Sequence, residues 1–251
     1  MNLNDCICII LAAGKGSRLK SDIPKVLHHI HGTPMLDYVI QAVKTVNAGQ
    51  ICIVVGFKRD AVIDSCKSEP VEFVTQDQQL GTGHAILCAK HTIEQSSCNH
   101  VMILAGDCPM IQPNTLNKLY HTHVADHATA TLLTSSLDDA SHYGRIIRDH
   151  NSQIIGIKEA KDCSASEYAI QEFNSGIYCF KKDDLLNSID QITAQNKQNE
   201  YYLTDTIHLL HSQGKIIKGV HINTPKEILG VNTQDELNDL IMNTKGSING
   251  R

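Results

Sequence analysis

No apolar run in this sequence approaches the roughly 18 residues that would cross a bilayer. Asn2, Asn4 and Asp5 stand where a secretory leader would carry a basic head, so the expectation is a cytoplasmic protein. Cationic tracts are equally scarce. Outside one loop near the amino end the positive charges are dispersed, and the formal net charge is −5. That excludes an extended nucleic-acid surface or an anionic membrane as partner. The nine cysteines are odd in number and never in CxxC spacing, and several lie inside apolar runs. They read as small buried hydrophobes of a reducing compartment. The histidine clusters His28/His29/His31 and His121/His123 lack metal-ligand spacing, and no Cys pair completes a tetrahedral set, which argues against zinc. There is no internal repeat, and no Gly, Ser or Pro-rich linker demands a boundary within the 251 residues. A chain of this size buries roughly 70–75% of its unfolded surface, so one α/β domain spanning 1–251 is expected.

What is present begins at once. An apolar run from Ile7 to Ala13 stops at Gly14, and Gly16, Lys15, Arg18, Lys20 and Lys25 follow. Two familiar phosphate loops do not fit: the dinucleotide pattern needs glycine where Leu19 stands, and no Gly-Lys pair completes a P-loop. Even so, glycines without Cβ allow positive φ and close approach of backbone N–H groups to an anion. Arg18 offers a planar fork and Lys25 a point charge, both suited to phosphate. The plain alternative is a strand-to-helix turn that happens to be basic.

Downstream, Thr33-Pro34 predicts a helix start with Thr as cap and Pro first inside. Leu36, Val39, Ile40 and Val43 follow at helical spacing. A strand at Ile51–Gly56, a helix over about Lys58–Lys67 and a strand at Val71–Val74 continue the rhythm of a parallel doubly wound sheet. Gln76–Ala85 sets amides beside a Gly-Thr-Gly turn that opens a helix from His84 to about Glu94. A planar base could be read there, although a polar glycine turn explains the same residues. The strand-like Val101–Met110 segment ends in Gly106-Asp107. A carboxylate at that end of a parallel strand points into the ligand crevice of open α/β sheets, or else caps a turn before Pro109. From Thr129 onward, short strands near Tyr143–Ala160 and at Phe173–Phe180 imply antiparallel pairing, which would wall the crevice from its other side. Tyr143, Gly144, Arg145, Glu159 and Asn174 are the polar groups set into those apolar segments. A helix is expected from Glu200, with Gly214 as its stop. Asn232 is expected at a strand end before the capping box Thr233–Glu236. The tail 245–251 is expected to fray.

LAAGKGSR with PKVLH, QLGTGHA, GDCP, YGRI, IKEAKD, EFNSG, YYLTD and GVNT occur in one order along nearly the whole chain. The series resembles the N-terminal uridylyltransferase domain of bacterial bifunctional UDP-N-acetylglucosamine pyrophosphorylases. The resemblance implies a GT-A-like, Rossmann-like fold: a mixed, mostly parallel sheet flanked by helices, with an antiparallel insertion. Its nucleotide-binding part would span about 1–127 and its sugar-binding part about 128–251. It further implies that Leu11, Ala12, Ala13 and Gly14 hold the nucleotide, with Gln76, Gln79, Gly81 and Thr82 around uracil. Arg18 and Lys25 would be catalytic on the triphosphate, and Asp107 and Asn232 would hold Mg²⁺. Gly106, Asp107, Gly144, Glu159, Asn174 and Asn232 would line the sugar phosphate.

The implied substrates are UTP and N-acetylglucosamine 1-phosphate, and the products UDP-N-acetylglucosamine and pyrophosphate. Another sugar or alditol phosphate, a CTP- or dTTP-using relative, and a non-catalytic nucleotide-sugar sensor are the alternatives. Two departures from the family pattern stand out. Ala105 occupies a position where a tyrosine is usual. No hexapeptide repeats follow Asn232, so the acetyltransferase β-helix and the trimer it builds are not expected, and oligomeric state is left open.

Overall fold

The computed structural model describes residues 2–140 and 142–244. The chain opens with β1 (Cys6–Ala12). Its side chains alternate between two buried faces: Cys6, Cys8, Ile10 and Ala12 enter one core cluster, Ile7 and Ile9 the other. A strand covered on both sides has no polar face to show, hence the unbroken apolar run. A small ribbon follows, β2 (His29–Ile30) with β3 (Thr33–Pro34), then α1 (Met35–Thr45), β4 (Gln50–Val55), α2 (Arg59–Cys66) and β5 (Glu72–Thr75). Next come α3 (Thr82–Gln95), β6 (His100–Ala105), α4 (Pro113–Ala125) and β7 (Ala130–Ser136). The remainder comprises β8 (Arg145–Arg148), β9 (Ile154–Lys158), α5 (Ala165–Tyr168), β10 (Glu172–Lys181), α6 (Lys182–Ile189), α7 (Asp205–Ser212), β11 (Ile217–His221) and α8 (Gln234–Asn243).

The main sheet runs β11-β7-β10-β6-β1-β4-β5. β5, β4, β1 and β6 are parallel neighbours, β10 is antiparallel to both β6 and β7, and β11 lies parallel to β7. β10 is thus the one reversed strand of these seven, while β8 and β9 form the antiparallel extension beside it. This is the expected mixed, mostly parallel sheet with helices on both faces. Side chains of α1, α2 and α4 fill one core cluster, and those of α3, α6 and α7 fill the other. Seven of the nine cysteines are buried, Cys88 and Cys163 half-buried, and all are free thiols. Among the described residues no helix is long and apolar enough to cross a membrane.

Three sequence expectations need correction. Thr33-Pro34 does not start a helix: Pro34 is extended (φ −56°, ψ 144°) and pairs with His29 across the ribbon, so α1 begins at Met35. The helix expected from Glu200 begins only at Asp205. The Tyr201 N–H donates to the Leu80 carbonyl at 2.8 Å, and the Tyr201 carbonyl accepts from Gly83 N–H at 2.8 Å. A peptide spent on a neighbouring loop cannot join a helical ladder. Asn232 follows a coil segment, not a strand. Elsewhere the punctuation matches: Gly214 (φ +70°) stops α7, and Thr233 with Glu236 forms a reciprocal capping box on α8. The expected fraying of 245–251 lies outside the described residues.

Candidate active site

The chain leaves β1 to build β4 and β5 on one side, then returns to place β6 on the other. Open α/β sheets bind ligands at such a reversal, outside the carboxyl ends of the strands. Backbone hydrogen bonds continue past those ends and fix the loops: Gly106 N–H to Leu11 O at 2.9 Å, Phe57 N–H to Ala13 O at 3.1 Å, and Gln76 N–H to Val55 O at 2.8 Å. Gly106 and Gly56 are required for this approach, because a Cβ would lie 3.0 Å from the Leu11 oxygen and 2.9 Å from the Ala13 oxygen respectively.

A cavity of about 220 Å³ opens there. Leu11, Thr82, Asp107, Gly144, Glu159, Asn174 and Asn232, drawn from separate stretches of sequence, all line it. Its wall also includes Tyr178, Leu203, Thr204 and Ala105, none of which were among the candidate residues. At one end Asn232 Oδ1 accepts from Arg18 Nη2 at 2.8 Å and from Lys25 Nζ at 2.7 Å, and Lys25 also pairs with Asp107 Oδ2. Asn232 is itself held by two further bonds. Its Nδ2 donates to Gly230 O at 2.8 Å, and its backbone N–H donates to Glu236, the residue that completes the capping box. Gly230 clears the space Asp107 occupies, since a Cβ would sit 3.1 Å from Oδ1.

The basic loop is more selective than its composition suggests. Of its four cations only Arg18 and Lys25 converge on Asn232; Lys15 lies 5.6 Å from the Phe57 ring centroid. Positive φ occurs at Gly16 (φ +66°) and not at Gly14, where an added Cβ would meet nothing within 4 Å. At Gly16 the same atom would lie 2.6 Å from Lys25 Cβ, so the lysine stem crosses directly over this glycine.

In the 76–85 segment, Gln76 is buried. Its Nε2 donates to Gly81 O at 3.0 Å and approaches His84 Nδ1 at 3.0 Å. Gln79 Nε2 donates to Gln76 O at 3.0 Å. Gly81 has φ +106°, and a Cβ there would strike the Tyr201 oxygen at 2.5 Å. Within this turn the Gly83 N–H is already engaged, donating to the Tyr201 carbonyl at 2.8 Å.

On the far side, a register shift in β10 between Asn174 and Tyr178 turns Asn174, Ser175 and Gly176 onto the cavity wall. Asn174 Nδ2 donates to Tyr178 Oη at 2.7 Å. Glu159 Oε1 accepts from the Thr204 hydroxyl at 3.0 Å. Burial pushes the Glu159 carboxyl above its ordinary range; the Thr204 hydrogen bond opposes the shift, while Asp205, Asp162 and Glu200 add to it. Arg145, read from sequence as a possible ligand contact, is buried structure. Its guanidinium donates to the Ala140, Tyr143 and Tyr168 carbonyls and lies over the Tyr168 ring. Thr204 gave no signal of its own in the sequence beyond its place in YYLTD. Tyr178, four residues beyond Asn174, reads as core and contributes only its hydroxyl.

Comparison with known proteins finds relatives along most of the chain. Bifunctional protein GlmU of Desulfotalea psychrophila is 40% identical over 93% of this chain and 69% of its own length. The GlmU protein of Clostridium perfringens is 42% identical over 94% of this chain and 51% of its own. The chain thus spans only about half to two thirds of these relatives. Among solved structures, UDP-glucose pyrophosphorylase complexed with UDP-glucose superposes with a TM-score of 0.73 at 17% identity, covering 96% of this chain and 98% of that one. The inositol-1-phosphate CTP transferase of T. maritima gives 0.71 at 16% identity, covering 96% and 97%. These two share the nucleotidyltransferase fold. The model of the MobA-like NTP transferase domain matches residues 8–197, and the chain belongs to that family.

Proposed function

We propose that this chain transfers the uridylyl group of UTP to N-acetylglucosamine 1-phosphate, releasing pyrophosphate and UDP-N-acetylglucosamine. The observation that carries the reading is convergence. Seven of the candidate residues, each from a different motif of the series, line one cavity, and the two loop cations Arg18 and Lys25 meet at Asn232 on its rim.

In this reading Leu11–Gly14 and the Gln76–Thr82 loop take the nucleoside, and Gly144, Glu159 and Asn174 take the sugar. The phosphomonoester of the acceptor has a second pKa of about 6, so its oxygen is already anionic at neutral pH and no general base is needed. What remains is to hold two polyanions together and spread charge at the α-phosphorus. Arg18 binds the triphosphate with its fork, and Lys25 follows the charge onto the departing pyrophosphate.

The donor set at the rim fits Mg²⁺. Asp107 and Asn232 each place a hard side-chain oxygen on one cation, the Lys25 ammonium, so the pair is close enough to share a divalent ion completed by waters and phosphates. Asp107 and Asn232 would hold it, and the ion would supply neutralisation of phosphate charge. Lys25, whose stem crosses Gly16, would give up Asp107 to such an ion and keep its ammonium for the phosphates.

The test is pyrophosphate release in a panel crossing UTP, CTP and dTTP with the 1-phosphates of N-acetylglucosamine, glucose and galactosamine. Turnover concentrated on UTP with N-acetylglucosamine 1-phosphate is expected. A different pair as best substrate reassigns the specificity, and binding without turnover makes the chain a sensor.

A further inference from the structure

The Gln76 amide has a determinate orientation, and one neighbour enforces it. The Gly81 carbonyl can only accept, so the Gln76 side-chain atom 3.0 Å from it is the nitrogen. The same nitrogen lies 3.0 Å from His84 Nδ1, which therefore accepts as well and leaves the imidazole proton on Nε2. Both N–H bonds of the amide are consumed inside the fold. Its Oε1 has no partner among the described residues. The imidazole is in turn confined: the Tyr201 ring lies 6.2 Å away at 34°, and the Cys88 sulfur sits 3.9 Å from both ring nitrogens. His84 occupies the first turn of α3, two residues after Thr82 on the cavity wall.

We propose that His84 is a positioning residue that locks the Gln76 carboxamide with its oxygen toward the nucleotide, and thereby sets the choice of base. The inference rests on the nucleotide reading given above and deepens it. A side chain that can only accept selects a base edge that donates. Uracil carries N3–H at that edge, whereas cytosine carries a bare N3 acceptor that would face the oxygen lone pair to lone pair. Without His84 the Gly81 carbonyl engages only one N–H. The amide can then swing and offer its other N–H to cytosine, and discrimination weakens. The physical stake is one buried, unpaired polar contact, on the order of 10- to 100-fold in preference.

The experiment measures kcat/KM for UTP and CTP by pyrophosphate release, with N-acetylglucosamine 1-phosphate, in wild type, His84→Leu and His84→Asn. Asparagine places an oxygen acceptor near the former Nδ1; leucine places none. The UTP-to-CTP ratio should fall at least tenfold in the leucine variant, chiefly through KM, and return in the asparagine variant. A folded leucine variant with an unchanged ratio overturns the proposal. If that variant does not fold, the wild-type protein still decides: both side-chain amide protons of Gln76 should exchange slowly with solvent in ¹⁵N-resolved spectra, and rapid exchange of either overturns it. Should wild type turn over neither nucleotide, the uridylyl-transfer reading falls, while the amide spectrum continues to report on His84 alone.

Discussion

Acid should unfold this protein through His123, and the size of the effect follows from its surroundings. The side chain is fully buried on α4, with Nδ1 3.0 Å from the Thr131 hydroxyl and Nε2 without a partner among the described residues. His100 stands edge-on at 5.1 Å, its own Nδ1 buried and likewise without a partner among the described residues. Burial, then His100 and then Lys181, lower the His123 pKa from 6.5 to about 3. The unfolded chain therefore binds a proton near pH 6.5 that the folded chain refuses until about pH 3, so stability is present above 6.5 and lost as pH falls. At roughly 1.4 kcal/mol per pH unit per proton, the loss between pH 7 and pH 5 is about 2 kcal/mol. His123→Phe keeps a ring of similar volume and removes the titration. Urea unfolding followed by far-ultraviolet circular dichroism at the two pH values should show wild type losing about 2 kcal/mol more than the variant. Parallel losses would refute the reasoning.

Further outcomes are expected at the site. Lys25→Ala and Arg18→Ala should each lower kcat by about 100-fold or more with small changes in melting temperature; comparable losses of both in both variants would reassign these residues to structure. Asp107→Asn should abolish the response of turnover to Mg²⁺ titration, and an unchanged titration curve would exclude it as a ligand. Gly16→Ala combines a left-handed φ with a Cβ 2.6 Å from Lys25 Cβ. It should cost about 1–2 kcal/mol of stability and lower kcat by displacing the lysine, and a variant with wild-type kcat would contradict that. Glu159→Gln should stabilise the free protein at neutral pH, because burial raises the carboxyl pKa and disfavours its charged form there. The same change should raise KM for the sugar phosphate about tenfold through loss of a charged acceptor; a stabilised variant with unaltered KM would remove Glu159 from the sugar site.

How much of this was legible in the sequence depended on whether a residue's partner was local. β1, β4 and β6 announced themselves because both faces are covered, and the Thr233–Glu236 box is complete within four residues. The motif residues that line the cavity were legible as types, but carboxylate, carboxamide and glycine at strand ends also serve as turns and caps, and only their convergence separates the two uses. Geometry set by distant contacts was not legible. Pro34 looked like a helix start until His29 claimed it as a strand partner, and the residues from Glu200 lost their helix to a loop more than a hundred positions earlier. Gly16 read as conformational freedom, but its larger service is to let Lys25 cross over it. Arg145 read as one of the polar groups open to a ligand and proved to be a buried brace.

The peptide of Tyr201, stitched on one side to Leu80 and on the other to Gly83, makes a single mechanical part of two regions that the sequence keeps far apart. Three residues on, Thr204 steadies the Glu159 carboxylate. On the proposed assignment of the nucleoside to the Gly81 turn and the sugar to Glu159, the Tyr201–Thr204 segment is the direct covalent link between the two subsites. Heterotropic linkage is reciprocal, so whatever factor one substrate imposes on the other through this segment is returned in equal measure.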